Sequence, residues 1–296
     1  MKNITVFTIG VIILVFSITN CGLDTLRKDT LPVQEHRPLK YPVVLVHGII
    51  AHDRKGLIHF WGRIPEILKD QGVQVFFGNT DAWGSYESNA SILKETIERV
   101  LIETNQEKVN IIAHSKGGID SRYLIWRYGF GDKVASLTTV STPHHGAEVA
   151  DLIAAQEIVY SKSIKHALEV FGKLSGDKNP NLYAVLYQLT TASMDAFNRR
   201  IPMDDRVYYQ SLYSVMHNGF DDLLYFHTYS YIKKITGPND GLVSEKSAAW
   251  GNHSVKIVNQ GVSHSEIIDI KKRTVAGLDI PSLYINIAHE LSGMGF

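Results

Sequence analysis

Hydrophobic residues change their spacing repeatedly along this chain, and the alternation predicts its elements. Tyr41-Pro42-Val43-Val44-Leu45-Val46 is a continuous, largely β-branched run ended by His47-Gly48, the pattern of a strand buried on both faces. Val73-Gln74-Val75-Phe76-Phe77 predicts a second strand, closed by Gly78-Asn79. Between Ser91 and Thr104, Ile92, Leu93, Ile97, Val100 and Leu101 mark one face at helical spacing, with Lys94, Glu95 and Glu98 on the other. Val109 to Ile112 then predicts a strand, Gly117 to Tyr128 a helix, and Val134 to Val140 another strand. Strands and helices alternating through short joints imply an α/β fold with a parallel sheet and right-handed crossovers.

The pattern changes after Gly146. To about Pro202 the apolar positions keep helical spacing with no convincing strand among them, which predicts a helical insertion into the strand series. Strand patterns return at Val207–Tyr213 and Val255–Val258, and a last helix is expected near Pro281 to Leu291, opened by a first-turn proline.

The amino terminus does not belong to this series. Met1-Lys2 precedes an uncharged apolar run from Ile4 to Ile18, the length of a signal-peptide core and short for a bilayer span. Residues 1–20 therefore read as an export signal. Ile18-Thr19-Asn20-Cys21 resembles the bacterial lipoprotein processing site, in which the cysteine becomes the lipidated first residue. Asn20 departs from it, because that position usually holds Gly, Ala or Ser. Acylated, Cys21 would tether the protein to a membrane surface; the alternatives are a retained anchor or an ordinary cleaved signal that leaves a secreted protein. Residues 21–40 are polar with Pro32 and Pro38 and suit a tether, which leaves 41–296 as the folded domain.

Composition narrows the chemistry. With 30 basic and 30 acidic residues the formal net charge is zero, and no basic arm offers a nucleic-acid footprint. Cys21 is the single cysteine, which excludes an internal disulfide framework and every metal centre built on several cysteines.

The most informative stretch is Ala113-His114-Ser115-Lys116-Gly117-Gly118, placed between a predicted strand and a predicted helix. A nucleophilic serine at such a turn needs small residues two positions before and after it, because the backbone there is strained. Ala113 and Gly117 supply them. Ser115 is thus a candidate nucleophile, and the Lys116 amide at the helix start a candidate oxyanion donor. His47-Gly48-Ile49 follows the first strand, where a sharp turn at Gly48 can aim the Ile49 amide into the same site. Pro238-Asn239-Asp240-Gly241 is a turn sequence that puts Asp240 in a loop rather than a core, and Gly261-Val262-Ser263-His264 follows a strand in the same manner. Ser115, Asp240 and His264 stand in the chain order nucleophile, acid, base.

Pro42-Val43-Val44-Leu45-Val46-His47-Gly48, Ala113 to Gly118, Thr142-Pro143-His144-His145-Gly146 with Val149-Ala150-Asp151, and Asn239-Asp240-Gly241-Leu242-Val243 together resemble the bacterial true lipases. Those are secreted triacylglycerol hydrolases of the α/β-hydrolase fold. The resemblance implies a mostly parallel central sheet with flanking helices, Ser115 as nucleophile, Asp240 as acid, His264 as base, and the Ile49 and Lys116 amides as oxyanion hole. It makes residues of about 146–202 the counterpart of the family's lid, a cap that closes over Ser115. Lys116 stands where many relatives carry Gln or His, and only its backbone is needed.

No cofactor is required by this reading. Some relatives bind a structural calcium; here Asp221 or Asp222 could supply its first aspartate, while Glu266 stands in place of the second, which leaves calcium open and unassigned. His144 and His145 are expected to cap or pack beside the sheet, since no third ligand accompanies them. The expectation is an exported serine hydrolase of carboxylic esters, above all acylglycerols, with a lipid ester as substrate. A short-chain esterase, a phospholipase or a polyester depolymerase is the alternative within the class. Outside it stands a surface lipoprotein that binds lipid or a host component without catalysis.

Overall fold

Val43–Val46 forms strand β1, and all four of its residues are buried. This computed structural model describes residues 38–49, 52, 60–156, 172–173, 176–256 and 261–296. The chain divides into Met1–His36 and Arg37–Phe296; the expected signal and Cys21 lie outside the described residues. Helix α1 (Ile64–Asp70) leads to β2 (Val75–Phe77), α2 (Tyr86–Thr104), β3 (Val109–His114), α3 (Lys116–Tyr128) and β4 (Val134–Val140). Helices α4 (Glu148–Ala154), α5 (Leu182–Gln188) and α6 (Thr191–Arg200) follow, then β5 (Tyr208–Tyr213), α7 (Phe226–Ile235), α8 (Glu245–Ala248), β6 (His253–Lys256) and α9 (Ile280–Gly293). The six strands form one sheet in the order β2-β1-β3-β4-β5-β6, and every pairing is parallel. This is the parallel α/β architecture that the strand pattern anticipated, and the α/β-hydrolase fold that the family resemblance implied.

Strand order places the site. The chain runs from β1 outward to β2 and returns to the other side of β1 as β3, so the carboxyl ends of β1 and β3 flank a topological switch point, where open α/β sheets bind ligands. Those ends are Val46-His47-Gly48 and His114-Ser115. One face of the sheet packs Leu45, Ile112, Trp61, Ile64 and Leu68 against Tyr284, Ile287 and Leu291 of α9. The other packs Val44, Val46 and Ile111 against Leu93, Ile97 and Val100 of α2 and Leu124 of α3. Each fully buried aliphatic side chain contributes about 1.5–3 kcal/mol by leaving water.

Several boundaries differ from the pattern: β2 starts at Val75 rather than Val73, and β3 runs on to His114. Helix α2 begins at Tyr86 rather than near Ser91, because the Ser85 side chain accepts from the Ser88 amide and Glu87 lies in the first turn. Its first turns bury Asn89 and Ala90, so apolar periodicity does not mark them. Strand β6 occupies His253–Lys256, where β5 offers Gln210–Tyr213 for pairing, rather than Val255–Val258; residues 257–260 lie outside the described residues.

The insertion is helical where it is described. Val185 and Leu189 from the α5 region and Met194, Phe197 and Ile201 from the α6 region bury against Ile119 of α3, Ala147 and Ala150. Asp151 ties the ends together, accepting from the Thr191 amide and hydroxyl at 2.9 Å each. Of its apolar positions, Ile158, Val159, Leu168, Val170, Phe171 and Leu174 lie outside the described residues.

Candidate functional site

The β3–α3 turn is strained at one residue. Ser115 has φ +52° and ψ −128°, a conformation that costs a non-glycine residue about 1–3 kcal/mol. The surroundings hold it there: the Ser115 amide extends the ladder to the Val140 carbonyl at 2.9 Å, and its own carbonyl accepts from the Gly118 amide at 3.1 Å. Close packing explains the small residues. A Cβ on Gly117 would lie 2.5 Å from the His47 carbonyl oxygen, and one on Gly118 would strike the Thr142 side chain. A Cβ on Gly48 would lie 2.9 Å from that of Ser115. Gly48 therefore lies against Ser115, and the half-buried Ile49 that follows it packs on the cluster that holds Ile119, Ala147 and Val185. Lys116 is the first residue of α3.

Asp240 and His264 meet. His264 Nδ1 lies 2.8 Å from Asp240 Oδ2, and the His264 amide donates to the Asp240 carbonyl, also at 2.8 Å. Asp240 Oδ1 accepts from the Leu242 and Val243 amides at 3.0 and 2.8 Å. Asn239 accepts from the Gly241 amide at 2.9 Å, and Gly241, at φ +100°, packs on the Tyr225 ring where a side chain would collide. The Asn-Asp-Gly-Leu-Val sequence is thus a carboxylate-presenting turn. Asp240 lies in a loop as expected, yet it is only 1% exposed; the hydrogen bonds satisfy a charge that burial would otherwise penalise.

With Asp240 accepting the Nδ1 proton, the lone pair of the neutral imidazole sits on Nε2. The ring stacks obliquely on His114, the residue before Ser115, with centroids 4.6 Å apart. His114 Nε2 lies 3.0 Å from the His264 carbonyl oxygen, so it donates there. Burial, with His264 beside it, holds the His114 imidazole well below its ordinary value. His114 is a neutral brace between β3 and the His264 turn. The fold thus brings Ser115, His114, His264 and Asp240 to one end of the sheet.

The Lys116 side chain is a feature that sequence reasoning missed. Its ammonium is buried and lies 2.9 and 2.8 Å from the two Asp120 oxygens. Asn89 Nδ2 donates to the same carboxylate at 2.8 Å and to the Asp81 carbonyl at 2.9 Å. Asp81 accepts from the Lys178 and Asn179 amides, and Asp177 from those of Ala82 and Trp83, all within 2.9 Å. A polar chain therefore runs from the residue after Ser115 to the 177–179 segment of the insertion. The i,i+4 spacing of Lys116 and Asp120 was its one local signal.

His144 packs beside the sheet as expected. It accepts from Arg122 Nη1 at 3.2 Å and lies 2.9 Å from the Thr139 hydroxyl, stacked on Trp250 with centroids 4.6 Å apart. Burial, with Arg122 close by, keeps its imidazole well below the ordinary range. The same burial lowers the Arg122 guanidinium to about 9. His145 is exposed, near Asn198.

The calcium expectation meets a different arrangement. Asp221 turns to the His217 and Asn218 amides. Asp222 and Glu266 do converge, but on Lys271, whose ammonium lies 2.9 Å from an oxygen of each. Calcium takes six to eight oxygens at about 2.3–2.6 Å, and here an ammonium nitrogen sits between the two carboxylates. These residues do not fit the ion. Among the described residues no cluster of three His, Cys, Asp or Glu side chains could hold a metal.

Residues 42–194 match the family model described as palmitoyl protein thioesterase. Triacylglycerol lipase 2 of Saccharomyces cerevisiae is 30% identical over 258 residues, covering 81% of this chain and 75% of its own length. A triacylglycerol lipase of Pseudarthrobacter phenanthrenivorans is 33% identical over 177 residues, 55% of this chain and 54% of its own. The chain thus spans about half the length of that bacterial relative. Among solved structures, a Bacillus licheniformis lipase in its mature form superposes with a TM-score of 0.64 at 23% identity, covering 87% of this chain and 95% of that one. That likeness shows the fold.

Proposed function

This chain belongs to the lipase/esterase family of the α/β-hydrolase superfamily, its residues 42–194 falling within the palmitoyl protein thioesterase family, and from that premise we propose that it is a triacylglycerol lipase acting through an acyl-enzyme. In this reading Ser115 Oγ attacks the acyl carbonyl carbon while His264 Nε2 takes the hydroxyl proton. The resulting oxyanion rests on the Ile49 and Lys116 amides. Collapse breaks the bond to the alcohol oxygen, which leaves with the proton from His264. Water then attacks the acyl-enzyme, gives a proton to His264, and releases the fatty acid as Ser115 regains its proton. Asp240 holds the imidazole in the required tautomer and stabilises the imidazolium.

The observation that carries the reading is the Asp240–His264 hydrogen bond at the sheet end that also carries the strained Ser115 turn. An acyl thioester is the second reading, favoured by the family model's description; the same steps would then expel a thiol. Both are tested by assaying the protein and its Ser115→Ala variant on glycerol esters from acetyl to long acyl and on a long-acyl thioester. We expect turnover to rise with acyl length on glycerides and to fall about a thousandfold or more in the variant, with the melting temperature within a few degrees of wild type. Retention of a tenth of the activity would remove Ser115 from its role, and a preference for the thioester would install the second reading. Export and acylation at Cys21 remain part of the proposal. Fatty-acid labelling that is equal in wild type and Cys21→Ser would remove the anchor.

A further inference from the structure

We propose that Lys271 is a positioning residue, the built-in counter-ion of the His264 turn, which does there by an ammonium what a bound cation would do. The proposal rests on the reading of His264 as the base. Its ground is a closed set of contacts around Ser263, the residue before His264. The Ser263 hydroxyl donates to Asp222 Oδ2 at 2.7 Å, and the Ser263 amide to Glu266 Oε2 at 3.2 Å. Asp222 comes from the turn preceding α7 and Glu266 from the turn after His264, so two carboxylates from distant segments grip one residue.

Both are buried, at 6% and 1% side-chain exposure, whereas Lys271 is 25% exposed. Two buried carboxylates held close repel each other unless a cation stands between them. Lys271 supplies it, 2.9 Å from Asp222 Oδ2 and 2.9 Å from Glu266 Oε1. Arg273 adds only a longer contact to Glu266, at 3.4 Å from a largely exposed side chain. Without Lys271 the carboxylates would separate, Ser263 would follow one of them, and His264 would shift relative to Asp240. The loss would fall on proton transfer rather than on substrate binding. Seating a divalent cation would first require displacing the ammonium, so activity should not depend on calcium.

The test uses the full chain and a short, water-soluble ester. For wild type, EDTA and millimolar calcium chloride should each leave kcat and the melting temperature unchanged. Lys271→Met should lose about tenfold to a hundredfold in kcat, the scale of a small misplacement of a reacting group, with KM changed by no more than about threefold. Lys271→Arg should recover most of the loss, since a guanidinium can span both carboxylates. Should Lys271→Met fail to fold, Lys271→Met with Asp222→Asn removes the repulsion and is read instead. Loss of wild-type activity or stability in EDTA, restored by calcium, would overturn the proposal. So would wild-type kcat in Lys271→Met, or a loss that Lys271→Arg does not recover. His264→Gln separates this failure from that of the underlying reading: if it keeps its activity, His264 is not the base, whatever Lys271 does.

Discussion

Gly117 and Gly293 are both helical glycines, and the space around each decides what a methyl group would do. The Cβ of an alanine at 117 would lie 2.5 and 2.6 Å from the carbonyl oxygens of His47 and Val46, where backbone cannot yield cheaply. At 293, in the last turn of α9, that position is open, with no heavy atom within 4 Å apart from its chain neighbours and the local helix backbone. Gly117→Ala should therefore destabilise the fold by about 1–3 kcal/mol, as overpacking does. It should also lower kcat by pushing the start of α3 away from β1. Gly293→Ala should be neutral or stabilise by less than about 1 kcal/mol, through reduced freedom of the unfolded chain. Urea unfolding midpoints of the two variants check this. Equal effects would mean that the approach of β1 to α3 does not exclude a side chain at 117.

At the scale of elements, α3 holds the site together because its first turns face inward with charge. Lys116 and Asp120 are buried one turn apart, and Asn89 of α2 joins them. Such a pair adds little net stability over apolar residues of equal volume, but breaking it leaves an uncompensated charge. Lys116→Met should cost about 3–5 kcal/mol, and Asp120→Leu in the Lys116→Met background should recover a substantial part. The coupling in a double-mutant cycle should exceed about 1 kcal/mol. Additive losses would mean that the two side chains act separately. Because the polar chain reaches the 177–179 segment through Asp81, the single variant should also loosen that segment, which amide hydrogen exchange reads.

For the molecule as a whole, buried imidazoles set the response to acid. His114 and His144 are 3% and 0% exposed, and burial holds both well below the ordinary 6.5. Once pH falls below about 6.5 the unfolded chain binds a proton on each, while the folded chain refuses it until much lower pH. Unfolding therefore takes up protons, and stability present above that pH is lost as pH falls. The slope should approach about 1.4 kcal/mol per pH unit for each histidine. Urea unfolding between pH 7.5 and 5.5 checks it, and His144→Gln should remove about one proton from the slope. A midpoint that does not move over that range would show that the native state accommodates both charges.

Much of this protein was legible along the chain because the forces responsible are local. A strand buried on both faces is apolar wherever its polar groups are not paired, so β1 is apolar throughout at Val43–Val46, and β3 and β4 stand out at Val109–His114 and Val134–Val140 as largely apolar and β-branched, with Asn110 and Ser136 bonded to each other. The Ser115 turn is legible for a similar reason: its strain and close packing admit only small residues at Ala113 and Gly117. The Asn-Asp-Gly turn carries its own hydrogen bonds within five residues. The bridge from Lys271 to Asp222 spans 49 positions, and Asp177 reaches the Trp83 amide across 94. Neither has a periodicity, because such a contact depends on which loops the sheet order brings to one end of the strands. Lys116 shows both cases in one residue. Its backbone place at the start of α3 follows from the local motif, but its side chain is buried only because α2 packs beside α3 and presents Asn89 to the same carboxylate.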